Sequence, residues 1–101
     1  MTMKASQVLE LHRESIRDIG RKYAAKGISN LRVFGSVAAG TDTEESDIDF
    51  LIDAEQHVTL FTIGGLYSEL EHLVKRNIDL VISDEIPQHF KRRILEEAKA
   101  I

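Results

Sequence analysis

Ile48, Phe50 and Ile52 alternate with Asp49, Leu51 and Asp53, the two-residue period of a β-strand whose side chains point to opposite faces. One face of this strand is strongly apolar, so other elements must supply side chains to cover it. Helical spacing provides them. From about Ala5 to Lys26, Val8, Leu9, Ile16, Ile19 and Tyr23 recur at three- and four-residue steps between charges, and Gly27 stops the pattern. Between about Thr59 and Arg76 the same spacing runs through Ile63, Leu66, Tyr67, Leu70, Leu73 and Val74. Gly64 and Gly65 lower its helix propensity by roughly 1 kcal/mol each relative to alanine, which predicts a weak or kinked start. Pro87 suits a first helical turn, and Phe90, Ile94, Leu95 and Ala98 carry a third helical pattern to the C-terminus.

Two more segments read as strands. Leu31 to Phe34 is a short apolar run entering a turn at Gly35-Ser36, and Asn77 to Ser83 is apolar except for Asp79. The order helix, strand, strand, helix, strand, helix predicts a small α/β sheet backed by helices on one side. With 101 residues, 43% of them apolar, the chain has room for one two-layer core, so residues 1–101 are expected to form a single domain. The absence of cysteine excludes a disulfide scaffold, thiol catalysis and Cys-based metal sites. No apolar run approaches the ~20 residues that span a bilayer, and the N-terminus MTMKASQVLE has no apolar signal core. A cytoplasmic protein without a membrane partner is the expectation.

Charge is unevenly spread. The formal net charge is -4, which gives no footing for general nucleic-acid binding. No Lys or Arg occurs between Arg32 and Lys75, while Asp42, Glu44, Glu45, Asp47, Asp49, Asp53 and Glu55 crowd one stretch. Asp47 and Asp49, two apart on a strand, are expected to share a face. Asp79 sits in an apolar strand where packing asks for no charge; if that strand lies beside the second, all three acids converge. At ~4 Å and an effective dielectric near 20, each pair of unit charges repels by about 4 kcal/mol, less with solvent exposure. Such a cluster calls for protons or cations, and magnesium, a hard ion taking carboxylates and substrate phosphates, suits it. Gly35 and Ser36 would supply the phosphate half, glycine by allowing close backbone approach and serine by its hydroxyl.

Other patterns read as ordinary surface or core. Asp42, Glu44 and Glu45 are expected in a solvated loop, Asp53 at a strand end outside the site, and Lys91, Arg92 and Arg93 on a solvated helix face. An EF-hand counted from Asp42 would put Asp47 where its glycine belongs and Asp53 where its bidentate glutamate belongs. A haloacid-dehalogenase arrangement needs its apolar strand before the acids, and here it follows them. His12, His57, His72 and His89 have no metal-ligand spacing.

Gly35-Ser36, ten intervening residues, Asp47-Ile48-Asp49 and the later Asp79 resemble the signature of the polymerase-beta-type nucleotidyltransferases. The stretch VFGSVAAGTDTEESDIDFLID most closely resembles the minimal nucleotidyltransferase (MNT) proteins of bacteria and archaea, and the likeness extends over nearly the whole chain to RRILEEAKAI. The resemblance implies an α/β (α+β) nucleotidyltransferase fold with a small mixed β-sheet. It further implies that Asp47 and Asp49 hold two magnesium ions, that Asp79 binds the catalytic ion and readies the attacking hydroxyl, and that Gly35 and Ser36 hold the terminal phosphates of ATP. In that family the reaction transfers AMP from ATP to a tyrosine of a HEPN-domain toxin, making the enzyme the antitoxin. Many relatives carry an arginine where this chain has Ala39; Arg32, Lys75 and Arg76 are the cations that could replace it.

Two further readings stay open. One is a binding module that neutralises the toxin by covering it, with a vestigial nucleotide site. The other is a small-molecule transferase, for which so short a chain would need a second copy or another protein to complete the pocket. A homo- or hetero-oligomer is compatible with each of these readings.

Overall fold

Ile48, Phe50, Leu51 and Ile52 are all 0% exposed, so the alternating strand is a central one covered on both faces at Leu51. The computed structural model describes residues 2–101. Helices α1 (Ala5–Leu11) and α2 (Arg13–Ala24) lead into β1 (Ile28–Phe34), then a one-turn helix α3 (Gly35–Ala39) and a loop lead to β2 (Ile48–Ala54). Helix α4 (Leu60–Val74) connects to β3 (Ile78–Ile82); a 3-10 turn at Ser83–Glu85, α5 (Gln88–Glu97) and β4 (Lys99–Ala100) follow. The sheet order is β3-β2-β1-β4. β1 runs antiparallel to β2 and β4, whereas β2 and β3 are parallel, as the mixed sheet of the resemblance requires. The parallel pair is joined by α4, the crossover element such a pair needs.

Helices α1, α2 and α4 cover one face of the sheet. Ala5, Val8, Leu9, Ile16 and Tyr23 from α1 and α2, and Leu66, Leu70 and Val74 from α4, join Ile48, Phe50 and Ile52 in a single apolar cluster. Each fully buried Leu, Ile or Phe contributes about 1.5–3 kcal/mol. The opposite face carries Asp49, Leu51 and Asp53. The turn at Ser83–Glu85 packs on β2, and α5 packs on α3.

Four local features depart from the sequence expectation. The first helical pattern is two helices, broken at His12 (φ -105, ψ 13); the break lets the apolar residues of both pieces reach one core. The helix around Gly64-Gly65 is uninterrupted, capped by Thr59, whose hydroxyl accepts from the Thr62 N–H at 3.3 Å. Gly65 is explained by packing, since a Cβ there would stand 2.9 Å from the Tyr23 hydroxyl. The final helix does not reach the C-terminus: it stops at Glu97, and Lys99 and Ala100 pair with Val33 and Arg32 instead. The loop acid Asp42 is 8% exposed and accepts from the Ser6 N–H at 2.7 Å, so it anchors α1 and is not a solvated loop residue. Burial alone would raise its carboxyl, but the hydrogen bonds from Ser6 hold it below the usual range.

Among the described residues, no helix is long and apolar enough to cross a membrane.

Candidate active site

Strand register brings the candidate residues together. In the parallel β2–β3 pair Asp49 is the direct neighbour of Asp79, and in the antiparallel β1–β2 pair Asp49 faces Phe34. The residue after Phe34 is Gly35, so the β1–α3 turn comes down beside the Asp49 carboxylate. Gly35 has φ +68, and a Cβ there would collide with Asp49 Oδ2 and stand 3.2 Å from its Cγ. Only glycine meets both demands, a left-handed backbone and no side chain against the acid. Ser36 follows in the first turn of α3, whose N–H groups have no partners within the helix.

Asp47 lies one residue before β2 and is exposed. Sequence spacing puts it on the strand beside Asp49; the ladder instead starts at Ile48, whose N–H donates to Asn77 C=O at 3.3 Å. Its charge still acts on Asp49. Burial first, then Asp79 through its carboxylate contact and charge, then Asp47, push the Asp49 carboxyl up to about 6. Among the described residues no three acidic or histidine side chains cluster as ligands of one ion. The close pair is therefore Asp49 and Asp79, with Asp47 at its rim.

Two of the cations that could balance these acids are engaged elsewhere. Arg32 is drawn to Asp53, with Nη2 donating to Oδ1 at 2.7 Å, and its Nε donates to Asn30 C=O at 2.7 Å. Arg76 donates to Met3 C=O at 3.2 Å and to Glu44 C=O. Asp53 is also bound by Asn30 Nδ2 and the Ser83 hydroxyl, each at 2.6 Å. Burial raises its carboxyl, but these donors and Arg32 bring it below the usual range; its oxygens are committed to the fold. An all-oxygen pair that repels itself fits magnesium, which is commonly bound by one or two carboxylates and completes its octahedron with water and substrate phosphates.

Sequence reading missed two neighbours. The Tyr67 hydroxyl donates to Glu71 Oε2 at 3.3 Å. The Glu71 charge, more than burial, raises the phenol above its usual range, with smaller effects from Asp79 and Asp47. Helical spacing assigns Tyr67 to the core, and only its four-residue separation from Glu71 hints at a polar role. A separate cavity of about 320 Å³, lined by Arg17, Gly20, Leu31 and Leu66 among others, shares no residue with the acids.

The chain is similar to several known proteins. A family model described as polymerase beta, nucleotidyltransferase matches residues 14–101. A Methanocaldococcus jannaschii protein named as a protein adenylyltransferase is 32% identical over 92 residues, covering 91% of each chain. A protein adenylyltransferase of Thermococcus cleftensis is 29% identical over 90 residues, covering 89% of this chain and 85% of its own. A solved structure described as a minimal nucleotidyltransferase superposes with a TM-score of 0.81 at 32% identity, over 92% of this chain and 95% of that one. A toxin-antitoxin crystal structure with AMP-PNP shares the fold, with a TM-score of 0.62 at 22% identity over 82% of this chain and 69% of that one.

Proposed function

We propose magnesium-dependent transfer of AMP from ATP to a protein tyrosine for this chain, which belongs to the polymerase beta nucleotidyltransferase family and is a transferase enzyme. The acceptor in this reading is a HEPN-domain toxin, which the modification silences. The observation that carries it is the register match of Asp49 with Asp79 beside the Gly35 turn. A protein acceptor is supported by relatives that are named protein adenylyltransferases, and a toxin partner by the toxin-antitoxin complex that shares the fold.

Asp47, Asp49 and Asp79 would hold magnesium. When bound, the metal neutralises charge developing on the phosphates and on the attacking and leaving oxygens. Gly35 leaves room for phosphate oxygens to approach the backbone, and the Ser36 hydroxyl donates to them. The acceptor's phenolic oxygen attacks the α-phosphorus, the bond to the β-phosphate's bridging oxygen breaks, and pyrophosphate leaves. Asp79, the exposed member of the close pair, takes the phenol's proton. Positioning and charge neutralisation account for the rate.

Incubation with α-labelled ATP, magnesium and the toxin tests this. Label is expected on the toxin, lost with Asp47→Asn, Asp49→Asn or Asp79→Asn. No label with any nucleoside triphosphate would sink the reading.

A second reading has its own observation. Ala39 replaces the usual arginine, and both Arg32 and Arg76 are engaged elsewhere, so a non-catalytic module that covers the toxin is the competitor. Toxin neutralisation that survives replacement of all three aspartates selects it.

A further inference from the structure

Arg76 stands between Lys75, the left-handed cap that ends α4 (φ 53, ψ 44), and the strand that carries Asp79. Its guanidinium spans two other parts of the chain. Nη1 donates to Met3 C=O at 3.2 Å, ahead of α1, and Nη2 donates to Glu44 C=O in the acidic loop. Glu44 is three residues before Asp47, and Arg76 is three residues before Asp79. Just beyond this link, the Ile48 N–H donates to Asn77 C=O at 3.3 Å and opens the parallel β2–β3 ladder. The Glu44 contact and the Ile48–Asn77 bond close a small ring through residues 44–48 and 76–77, which includes Asp47 and leads out to Asp79.

Other bonds in the loop do not make this connection. The Asp42 carboxylate reaches Ser6, and the Thr43 N–H donates to Ser46 Oγ at 2.8 Å; neither crosses to β3. Asp47 precedes the first ladder residue, so the ladder alone does not hold it against the repulsion of Asp49 and Asp79.

We infer that Arg76 is a positioning residue, which sets the distance from Asp47 to the Asp49–Asp79 pair and thereby the affinity of the site for a divalent cation. With both terminal guanidinium nitrogens donating to main-chain carbonyls, it acts through the loop and not as a phosphate ligand. The inference rests on the proposed function only for the identity of the cation. Partners that orient a metal's ligands typically change affinity by about 10–100-fold when removed.

Mn2+ serves as the probe, measured by electron paramagnetic resonance on the full chain without nucleotide. Arg76→Ala is expected to weaken Mn2+ binding about tenfold or more and to speed amide exchange across residues 43–47. Arg76→Lys, which keeps one donor group, is expected to recover part of both, and it carries the test if Arg76→Ala does not fold. Arg92→Ala, removing a side chain 92% exposed on α5, is expected to match the wild type. In steady state the variants should need more magnesium for half-maximal rate, with the KM for ATP at saturating magnesium little changed. Wild-type-like Mn2+ binding in both Arg76 variants overturns the inference alone. So does a raised KM for ATP with unchanged loop exchange, which would make Arg76 a phosphate contact. A wild type that neither binds Mn2+ nor transfers label overturns the functional reading, and the metal role of Arg76 with it.

Discussion

Replacing Asp49 by asparagine should make the metal-free protein more stable, and by an amount that depends on pH. The carboxyl is raised from its ordinary 3.8 to about 6, by burial first and by Asp79 and Asp47 after. Between these two values the folded protein binds more protons than the unfolded chain, so stability falls as pH rises through that window. At about 1.4 kcal/mol per pKa unit the full effect would be about 3 kcal/mol. Asp49 is only partly buried, so solvent screening reduces the expected figure to about 1–2 kcal/mol. The asparagine side chain would carry no charge and could donate an amide N–H to Asp79. The assay is urea unfolding in EDTA at several pH values from 4 to 8. Asp49→Asn should exceed the wild type by about 1–2 kcal/mol at pH 8, and the gap should close as pH falls toward 4. A gap that is absent at pH 8, or constant with pH, would refute the electrostatic account. Adding magnesium should then stabilise the wild type and not the variant, because a ligand stabilises only the state that binds it.

Other substitutions probe the rest of the structure. Gly35→Ala combines a left-handed backbone with a collision at Asp49; a loss of about 1–3 kcal/mol in thermal unfolding is expected, together with lost nucleotide binding by calorimetry. Asp53→Ala removes the acceptor shared by Arg32, Asn30 and Ser83 and should cost about 2–3 kcal/mol at pH 7 by urea unfolding. Because the Asp53 carboxyl is held low, its contribution is present above the ordinary carboxylate pKa and fades as pH falls through the lowered one. Gly64→Ala meets nothing within 4 Å and should stabilise α4 by up to about 1 kcal/mol. Gly65→Ala, crowding the Tyr23 hydroxyl at 2.9 Å, should show no such gain in a melting curve.

Much of this molecule was legible because periodicity records burial. Ile48, Phe50 and Ile52 declare an apolar face, and the residues that helical spacing assigns to cover it, Val8, Leu9, Ile16, Leu66 and Leu70, do so. Asp79 stands out because a charge in an apolar strand has no packing reason. The parallel β2–β3 register that pairs it with Asp49 depends on the α4 crossover, which local spacing does not encode. The same limit hid the role of Asp42, whose acidic neighbours suggest solvent while its partner Ser6 lies 36 residues away. The break at His12 and the two-residue β4 left no pattern of their own. Both are decided by tertiary contacts that override local propensity.

The C-terminal arm carries a dynamic consequence. Helix α5 contributes no buried residue, and β4 adds only the pairs Lys99 with Val33 and Ala100 with Arg32. Few apolar contacts and a short ladder place this arm at the low end of the local unfolding free energies within one protein. It is expected to open as a unit while α1, α2, α4 and the central strands stay closed, which native-state amide exchange would read as earlier exchange across residues 88–100. Lys99 pairs with Val33, two residues before Gly35, so opening frees the sheet edge next to the turn that faces Asp49. The strand that leads into Gly35 would then lose its outer neighbour while its pairing with β2, and the core beneath, stay intact.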